Sequence, residues 1–449
     1  MAISETAPGP GKSAVSSVKP ALFEKARGFR FGIVGQMVLS TAVVGAIVIA
    51  ALSISMYRGG ADILLQNEVG KLAGATDVSA ARLNARFSFY RADALFLSKT
   101  PPIQGIVRSA QNSGVDPVDG STESLWVGRL ATIFTAMITS RPEFYQVRFL
   151  DDHGQETVRV DRKSDGSIVQ TPPDALQDKS THAYFVDSIA LSEGQVYIST
   201  INLNREFGEI EVPHRPVVRF ATPAFSDNGD RLGVIVINVD IQYLFDQVTP
   251  RGGGRIIDMI ANDQGDYLDT PDKGRAFGFD LGHRYLIQEE IPPFAPLFDM
   301  GGPDQYEGVV DYDSHRYVAS ARRVPFDPEN PQRFLVVTQM SPEGVMSGAL
   351  AELRNNAVFL ALGLLVVSAI VIAWLAHRIA RPLHEVTAAA STLAAGGKDI
   401  DLSNAIQRND ETGELARAFT RMATNVTERE EELMRSNQEL AQFAYVASH

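Results

Sequence analysis

Two long stretches without a charged residue constrain this chain more than any other feature of its 449 residues. They are "FGIVGQMVLSTAVVGAIVIAALSISMY" at 31–57 and "NNAVFLALGLLVVSAIVIAWLA" at 355–376. Each is long enough to cross a hydrocarbon core of about 30 Å as a helix. We therefore predict two transmembrane helices, and a segment of the chain, 58–354, that lies between them on one side of a membrane. The first stretch exceeds a typical signal-peptide core of roughly 7–15 residues, so we expect it to be retained.

The charges beside these stretches predict their orientation. Residues 1–30 carry five Lys or Arg against two Glu, and the second stretch is followed by His377, Arg378 and Arg381. Because Lys and Arg concentrate at the cytoplasmic ends of membrane helices, both termini are predicted to be cytoplasmic. The tail 1–30 is expected to be disordered, and 58–354 is expected to be extracytoplasmic.

Composition excludes several classes of function. Segment 58–354 holds 28 Lys and Arg against 41 Asp and Glu, a net charge of −13. No basic cluster is present that could neutralise phosphates, so a nucleic acid is not expected as a partner. The chain has no cysteine, which removes disulfides, thiolate zinc sites and cysteine nucleophiles. The histidines lack the spacing of metal ligands, and we predict no metal site.

Segment 58–354 contains two similar units. Helical spacing of apolar residues predicts a helix from about 58 to 100 and a second at about 125–139. A hairpin is then predicted at 144–162 with Gly154 in its turn, and a related one at 255–271 with Gly265. Strands at 222–240 and 324–340 close the two units. We predict an α+β fold of two lobes, at about 100–245 and 250–345, with "RGGGR" (Arg251 to Arg255) as the linker; the alternative is that two unrelated antiparallel regions share common turns.

These units resemble the double Cache sensor domains of bacterial membrane receptors. The resemblance is carried by "YQVRFLDDHGQETVRV", "VYISTINLNREFGEIEVPHRPVVRFATPAF", "GVIVINVDI" and "DQGDYLDTPDKGRAFGFDLG". It implies two stacked PAS-like lobes, the first being membrane-distal and binding a small extracytoplasmic ligand. The residues that it places on pocket-lining elements, each of which could instead have a structural role, are Arg148, Arg159, Tyr184, Tyr197, Ser199, Asn202 and Arg219.

The class of ligand is only partly indicated by these residues. Members that bind amino acids carry an Arg-x-Trp-Tyr cluster, whereas the corresponding stretch here is "KSTHAYFVDS", without tryptophan. An amino acid is therefore not expected. Arginine side chains beside aromatic rings would suit a small carboxylate.

After the second apolar stretch, residues 377–428 resemble a HAMP domain, a parallel four-helix dimeric relay. The motifs are "RPL" (Arg381 to Leu383) and "DETGELARAFTRM" (Asp410 to Met422), with a helix break predicted at "GG", residues 396–397. We expect Pro382 to occupy the first turn of a new helix, where it costs no hydrogen bond. Together with Glu411 and Gly413 it is predicted to belong to the relay.

The second HAMP helix continues as a heptad repeat. Residues at a are Phe419, Val426, Leu433, Leu440 and Ala447, and residues at d are Leu415, Met422, Arg429, Ser436 and Phe443. This pattern predicts a parallel coiled-coil homodimer over 429–449. Arg429 and Ser436 weaken the centre of the seam, as a relay with two packing states would require.

The terminal string "QELAQFAYVASH" resembles the start of the H box of HisKA-type sensor histidine kinases. The resemblance implies that His449, at an outward c position, accepts phosphate from ATP and passes it to a response regulator. ATP with Mg²⁺ would belong to a catalytic domain beyond His449, so no cofactor is expected in this chain. We therefore expect the sensor and relay portion of a kinase of the bacterial inner membrane, truncated at its H-box histidine.

Two alternatives use the same sensor and HAMP parts. One is the input half of a cyclic-dinucleotide enzyme, against which the H-box string argues. The other is a chemotaxis-type receptor, which would need a long methylatable hairpin after the HAMP domain, whereas about 25 residues follow it here.

Overall fold

The computed structural model describes residues 33–206, 208–249, 256–397 and 401–447. The tail 1–30, the linker Arg251 to Arg255 and His449 therefore lie outside the described residues. The chain divides into two compact units. One comprises residues 58–353, and the other combines residues 1–57 with 354–449.

Two long helices contain the apolar stretches. Helix α1 spans Ile33–Ser98 and helix α8 spans Ser347–Ala394, and both include windows of membrane-spanning length, with mean hydropathy 2.5 and 2.8. None of either window is buried. The two predicted apolar helices are thus confirmed by length and composition.

The first lobe begins with two helices, α2 at Pro101–Gln111 and α3 at Glu123–Ser140. Its main strands are β1 Phe144–Leu150, β2 Glu156–Arg162, β3 Ile168–Gln170, β4 Tyr197–Ile198, β5 Asn202–Leu203, β8 Pro216–Phe225 and β9 Arg231–Asp240. A small ribbon is formed by β6 Arg205–Glu206 and β7 Glu209–Ile210, and the helices α4 Ala183–Ile189 and α5 Ile241–Val248 complete the lobe. The antiparallel sheet has the order β3-β2-β1-β9-β8-β4, with β5 also paired to β8.

The second lobe repeats this arrangement on a smaller scale. Its elements are β10 Ile257–Ala261, β11 Tyr267–Asp269, α6 Gly278–Leu281, α7 Ile287–Glu290, β12 Gln305–Tyr312, β13 His315–Pro325 and β14 Phe334–Pro342. The five strands form one antiparallel sheet in the order β11-β10-β14-β13-β12. The predicted α+β fold with two lobes is confirmed.

Both predicted hairpins are present, and their turn glycines have the left-handed backbone that was expected. Gly154 has φ +89° and Gly265 has φ +90°. At Gly154 the main chain also passes close to Ser180, so a β-carbon would meet backbone atoms there. Only glycine satisfies both conditions at this turn.

The two lobes share one apolar core. The cluster that packs α1 and α3 against the first-lobe sheet also includes Val324, Phe326 and Leu335 of the second lobe. The ring of Phe87 on α1 lies 5.6 Å from that of Phe220 and 5.2 Å from that of Phe326. Helix α1 is therefore packed between elements of both lobes.

Helix α8 runs without interruption through Pro382. The prediction that Pro382 occupies the first turn of a new helix is therefore wrong. Proline inside a helix loses one hydrogen bond and crowds the preceding turn. Here the side chain of Pro382 is buried, and the continued helix brings Val386 and Ala389 into a small apolar core that offsets this cost.

The remaining elements follow α8. The predicted helix break is confirmed, since α8 ends at Ala394 and Gly396 has φ +82°. Helices α9 Ser403–Ile406 and α10 Glu411–Ala447 follow. Leu402, Ala405 and Ala416 complete the core around α8, so the connector and both helices pack as one unit.

Candidate functional site

The predicted ligand residues meet on one face of the first-lobe sheet. On β1, Val147 and Phe149 point into the core beneath α1 and α3, so Gln146 and Arg148 point to the opposite face. Asn238 on β9 pairs with Gln146 on one side and with Arg219 of β8 on the other. We call this surface, with the side chains of α4 that cover it, the polar face.

Arg148 is the centre of the polar face. Its Nη1 donates to Glu156 and to the hydroxyl of Tyr184, both at 3.2 Å, and its Nη2 donates to Asn238 at 3.1 Å. Burial opposes its charge, but Tyr184 and Glu156 together raise the pKa of Arg148 above its ordinary value. Its Nε is buried and has no acceptor among the described residues.

Arg219 lies beside Arg148 in a different environment. Its guanidinium donates to two amide oxygens, of Asn202 at 3.0 Å and Asn204 at 3.1 Å. The guanidinium carbons of Arg219 and Arg148 lie 5.7 and 5.1 Å from the ring centroid of Tyr184. Arg219 has no ion pair within the described part of the chain, and burial, followed by the charge of Arg148, lowers its pKa.

Arg159, by contrast, is saturated by acidic side chains. Its Nε donates to both oxygens of Asp161 at 2.9 and 3.0 Å, and its Nη2 lies 3.3 Å from Glu206. Burial opposes the charge, but these carboxylates raise the pKa of Arg159. A further 3.8 Å contact to Glu156 joins it to the network of Arg148.

The two remaining predicted residues border the same face. The hydroxyl of Ser199 accepts from the main-chain nitrogen of Arg219 at 2.9 Å and donates to the carbonyl of Thr200. Tyr197 packs beside Tyr184 and Phe185, and burial raises its pKa. The structure thus brings all seven predicted residues into one connected region; whether they bind a ligand stays a prediction.

Sequence reasoning missed most of the partners of these arginines. The missed partners are Glu156, Asp161, Asn204, Glu206 and Asn238, and Gln146 links Asp161 to Asn238. One signal was available, because Gln146 and Asn238 interrupt otherwise apolar strands. A buried polar residue needs a hydrogen-bond partner, so such an interruption indicates a polar network.

Two of the three predicted relay residues, Glu411 and Gly413, lie at the start of α10, whereas Pro382 lies within α8. Asp410 caps this helix by accepting from the nitrogen of Gly413 at 3.1 Å and from the hydroxyl of Thr412 at 2.7 Å. The hydrogen bond from Arg408 is the main reason that the pKa of Asp410 lies well below its usual range. Glu411 is exposed in the first helical turn, where its charge complements the helix dipole.

The predicted coiled-coil seam follows on α10. Most of its apolar side chains between Leu415 and Phe443 are exposed, such as Met422 at 51%, Leu433 at 65% and Phe443 at 81%, whereas Phe419 packs against the core around α8. A row of exposed apolar residues at a and d positions is typical of a helix that packs against a second copy.

Comparisons with known proteins agree with both predicted domains. Residues 126–296 match the family model described as bacterial histidine kinase, sensor domain, and residues 374–428 match the HAMP domain. No curated protein matches the chain. These matches confirm the predicted sensor and HAMP domains and favour the histidine kinase prediction over its two alternatives.

Solved structures share the fold of the sensor segment. A domain of a candidate sensory box/GGDEF family protein from Vibrio parahaemolyticus has a TM-score of 0.52 and 20% identity, covering 63% of this chain and 99% of that one. The extracellular domain of a candidate histidine kinase, vpHK1S-Z8, has a TM-score of 0.52 and 19% identity, covering 64% and 95%. At this identity the likeness establishes the fold alone. With two apolar helices flanking a sensor domain of this type, the chain is a membrane protein.

Proposed function

We propose, from the premise that this chain joins a bacterial histidine kinase sensor domain to a HAMP domain, that it controls phosphorylation of His449 in response to an extracytoplasmic molecule. An imidazole nitrogen of His449 attacks the γ-phosphorus of ATP, and ADP leaves. The phosphoryl group then passes to an aspartate of a response regulator. The proposal places the chain in the bacterial inner membrane, with both termini cytoplasmic and the sensor domain periplasmic, which the charges beside the apolar stretches support.

The observation that carries this proposal is the continuity of α10. The helix begins at the cap formed by Asp410 and runs without a break to Ala447, two residues before His449. The last HAMP helix and the string "QELAQFAYVA" therefore belong to one continuous helix. A rotation of the helix at Gly413 would change how the residues at its other end are presented.

A second copy of the chain is the proposed partner of the seam. The exposed apolar side chains of α10 would be buried in a parallel dimer, with Arg429 and Ser436 as weak points at its centre. The energy that separates two packings of such a helix pair can be a few kcal/mol, which is the range that ligand binding can shift.

We propose the polar face as the site of a small anionic ligand. Two observations support this: the buried guanidinium of Arg219 has no carboxylate partner among the described residues, and the buried Nε of Arg148 has no acceptor there. A carboxylate or similar anionic group would give Arg219 a charged partner and the Nε of Arg148 an acceptor. Arginine favours bidentate pairing with such groups. The ring of Tyr184 lies against both guanidinium groups and would bound the ligand on one side.

The route from the sensor lobes to the membrane helices would run through α1 and the start of α8. Leu72 on α1 packs with Val318 of the second lobe and with Met346 and Leu350. Gly60 lies against Leu353 so closely that a β-carbon would require that side chain to move. A displacement of α1 relative to the second lobe would therefore also displace the first turns of α8.

The test uses the protein read to the end of its gene, in membranes supplied with labelled ATP and Mg²⁺. We expect acid-labile label on the wild type and none on His449→Ala. His384→Ala is the matched control, because His384 is an exposed histidine that also follows the second apolar stretch, and its loss should leave labelling unchanged. Equal labelling of His449→Ala and the wild type would refute the assignment of the phosphoacceptor.

A further inference from the structure

A cavity of about 590 Å³ lies between the two lobes, next to the polar face, with which it shares Asn202. One wall is the first-lobe segment 200–202, and the other comes from second-lobe residues at 262–266, 279–284 and 333–335. Of the seven ligand residues predicted from the sequence, only Asn202 lines it. Neither the sequence prediction nor the matched families assign a role to this cavity.

Second-lobe side chains hold the first lobe on two sides of the cavity. Arg333 donates through Nη2 to the carbonyl oxygen of Ser199 at 2.7 Å and through Nη1 to that of Ile198. Asp280 accepts from the main-chain nitrogen of Leu203 at 2.7 Å and pairs with Arg205 at 3.5 Å. The spacing of the lobes, and with it the width of the cavity, depends on these contacts.

The charges that line the cavity do not balance. Three aspartates face two arginines, and each arginine already has a partner: Arg284 pairs with Asp266 at 2.5 Å, and Arg333 pairs with Asp327 at 2.8 Å. Asp280 is paired with Arg205, as described above. Asp263 remains, and it makes no ion pair or side-chain hydrogen bond within the described ranges. Burial raises the pKa of Asp263, and the nearby charge of Arg333 offsets this effect only in part.

The carboxylate of Asp263 is presented by a rigid turn. The side-chain oxygen of Asn262 accepts from the main-chain nitrogens of Gln264 at 3.0 Å and Asp266 at 2.9 Å. Gly265 supplies the left-handed backbone that completes the turn. The main chain at Asp263 is thus fixed before any ligand arrives, which lowers the entropic cost of binding.

Aromatic side chains supply the rest of the recognition chemistry. Phe279, Phe326 and Phe334 line the same cavity as Asp263. The face of an aromatic ring attracts a cation and also packs against an apolar group. The rings of Phe326 and Phe334 already lie under the guanidinium groups of Arg333 and Arg323, at 5.0 and 4.1 Å, so the charge preference of the cavity rests on the carboxylate of Asp263 and the rings supply apolar contact.

We propose that the cavity between the lobes binds a small organic cation, an amine whose ammonium group pairs with Asp263 and whose apolar part packs against Phe279 and Phe326. This site has the opposite charge preference to the polar face, so the two sites take different ligands. An occupant would touch both lobes and would favour one spacing between them. Binding itself does not depend on the proposed kinase function, although any regulatory effect of binding does.

The first test measures binding calorimetrically with the full chain in lipid nanodiscs. The probes are benzylamine, the neutral benzyl alcohol and the anionic benzoate. We expect saturable binding of benzylamine alone, weakened about tenfold or more in Asp263→Asn, since tenfold corresponds to about 1.4 kcal/mol of a lost charge pair. Asp311→Asn is the matched control, because Asp311 is an exposed second-lobe aspartate outside the cavity, and this variant should bind as the wild type does.

Three results would overturn the proposal: no saturable binding of benzylamine, equal binding by Asp263→Asn, or binding of benzoate as strong as that of benzylamine. None of these would affect the phosphoacceptor assignment, because no phosphorylation is measured. Conversely, loss of the kinase assignment would leave a positive binding result intact.

A second test needs no ligand that fits the cavity. Because the chain has no cysteine, Thr200→Cys introduces a unique thiol at the exposed edge of the cavity. We compare the rates at which a cationic and an anionic methanethiosulfonate reagent react with this thiol. The ratio of the cationic to the anionic rate should fall several-fold when Asp263→Asn is added. An unchanged ratio of the two rates would show that Asp263 does not set the charge preference of the cavity.

Discussion

Gly413 lies against the main-chain oxygen of Arg408 so closely that a β-carbon added to the glycine would overlap that oxygen. The same oxygen accepts a hydrogen bond from Arg417 at 2.8 Å, and the Arg408 side chain pairs with the capping Asp410 at 2.6 Å. The connector is thereby fixed to the first two turns of α10. The predicted importance of Gly413 follows from this lack of space and not from its backbone conformation.

Gly413→Ala should therefore loosen the junction between the connector and α10. Overpacking of this kind costs about 1–3 kcal/mol. We expect faster tryptic cleavage after Arg408 and Arg417 in membranes. Gly74→Ala on α1, where nothing lies within 4 Å of an added β-carbon, is the control and should cleave as the wild type does. Identical cleavage of Gly413→Ala would contradict the close approach.

Replacing Arg333 should destabilise the sensor segment far more than replacing an exposed arginine. Arg333→Ala leaves Asp327 without its partner and two first-lobe carbonyls without their donor, and the side chain is only 18% exposed. The expected loss is about 2–4 kcal/mol. Arg316→Ala removes only ion pairs at 3.6 and 3.9 Å from a side chain that is 60% exposed, and it should cost less than about 1 kcal/mol. Denaturant unfolding of both variants checks the difference, and similar losses would argue against an interlobe clamp.

The two arginines beside Tyr184 should respond differently to the same substitution. Arg148→Met leaves the buried carboxylate of Glu156 without its nearest cation, at an expected cost of about 3–5 kcal/mol. Arg219→Met leaves two amide oxygens without their donor but leaves no carboxylate unpaired, so a loss of stability of about 1–2 kcal/mol is expected. Thermal unfolding of the two variants in nanodiscs provides the measurement. A larger loss for Arg219→Met would mean that the ion pair of Arg148 does not hold the polar face together.

Asp116 should make stability depend on pH in the acid range. The hydrogen bonds from Arg108 lower the pKa of Asp116 from 3.8 to about 2. Because the folded pKa lies below the unfolded one, the contribution is fully present above about pH 4 and is lost as the pH falls towards about 2. The unfolding midpoint of Asp116→Asn should therefore change less with pH across that window than the midpoint of the wild type does. Asp119→Asn, which removes a more exposed carboxylate 3.8 Å from Arg129, should retain the wild-type dependence of the midpoint on pH. A weaker dependence in this control would mean that the effect does not come from Asp116 alone.

The seam of α10 can be tested by disulfide formation in a chain that has no cysteine of its own. Leu440 is at an a position, and paired a residues of a parallel dimer bring α-carbons within the roughly 4.4–6.8 Å that a disulfide needs. Leu440→Cys should cross-link rapidly under mild oxidation in membranes. Gln438→Cys, at the outward f position, should not. Equal cross-linking of the two variants would exclude a parallel dimer in this register.

Local features of the fold could be predicted from the sequence because their causes are local. The two apolar helices, the turns at Gly154 and Gly265 and the break at Gly396 each depend on a few adjacent residues. Pro382 shows the limit of such reasoning. Its local preference for a first turn was correct in isolation, but the packing of Val386 and Ala389 on the same continuous helix outweighed that preference.

The residues of the polar face could be proposed from the sequence, but most of the contacts between them could not. Arg148, Tyr184 and Arg219 were predicted together and lie on one connected face, whereas Glu156 and Glu206, which pair with Arg148 and Arg159, were missed. The contacts that frame the cavity between the lobes join residues 75 to 135 positions apart, as with Asp280 and Arg205 or Arg333 and Ile198. No short pattern encodes such a pair, since it results from how two complete lobes pack.

The apolar core shared by the lobes makes the sensor segment a single thermodynamic body. Phe326 belongs to the second lobe by sequence, yet its ring packs on Phe87 in the cluster that supports the first-lobe sheet. Neither lobe can therefore melt without exposing part of the other. A calorimeter would record one endotherm for the pair, and a ligand bound to either lobe would raise the melting temperature of both.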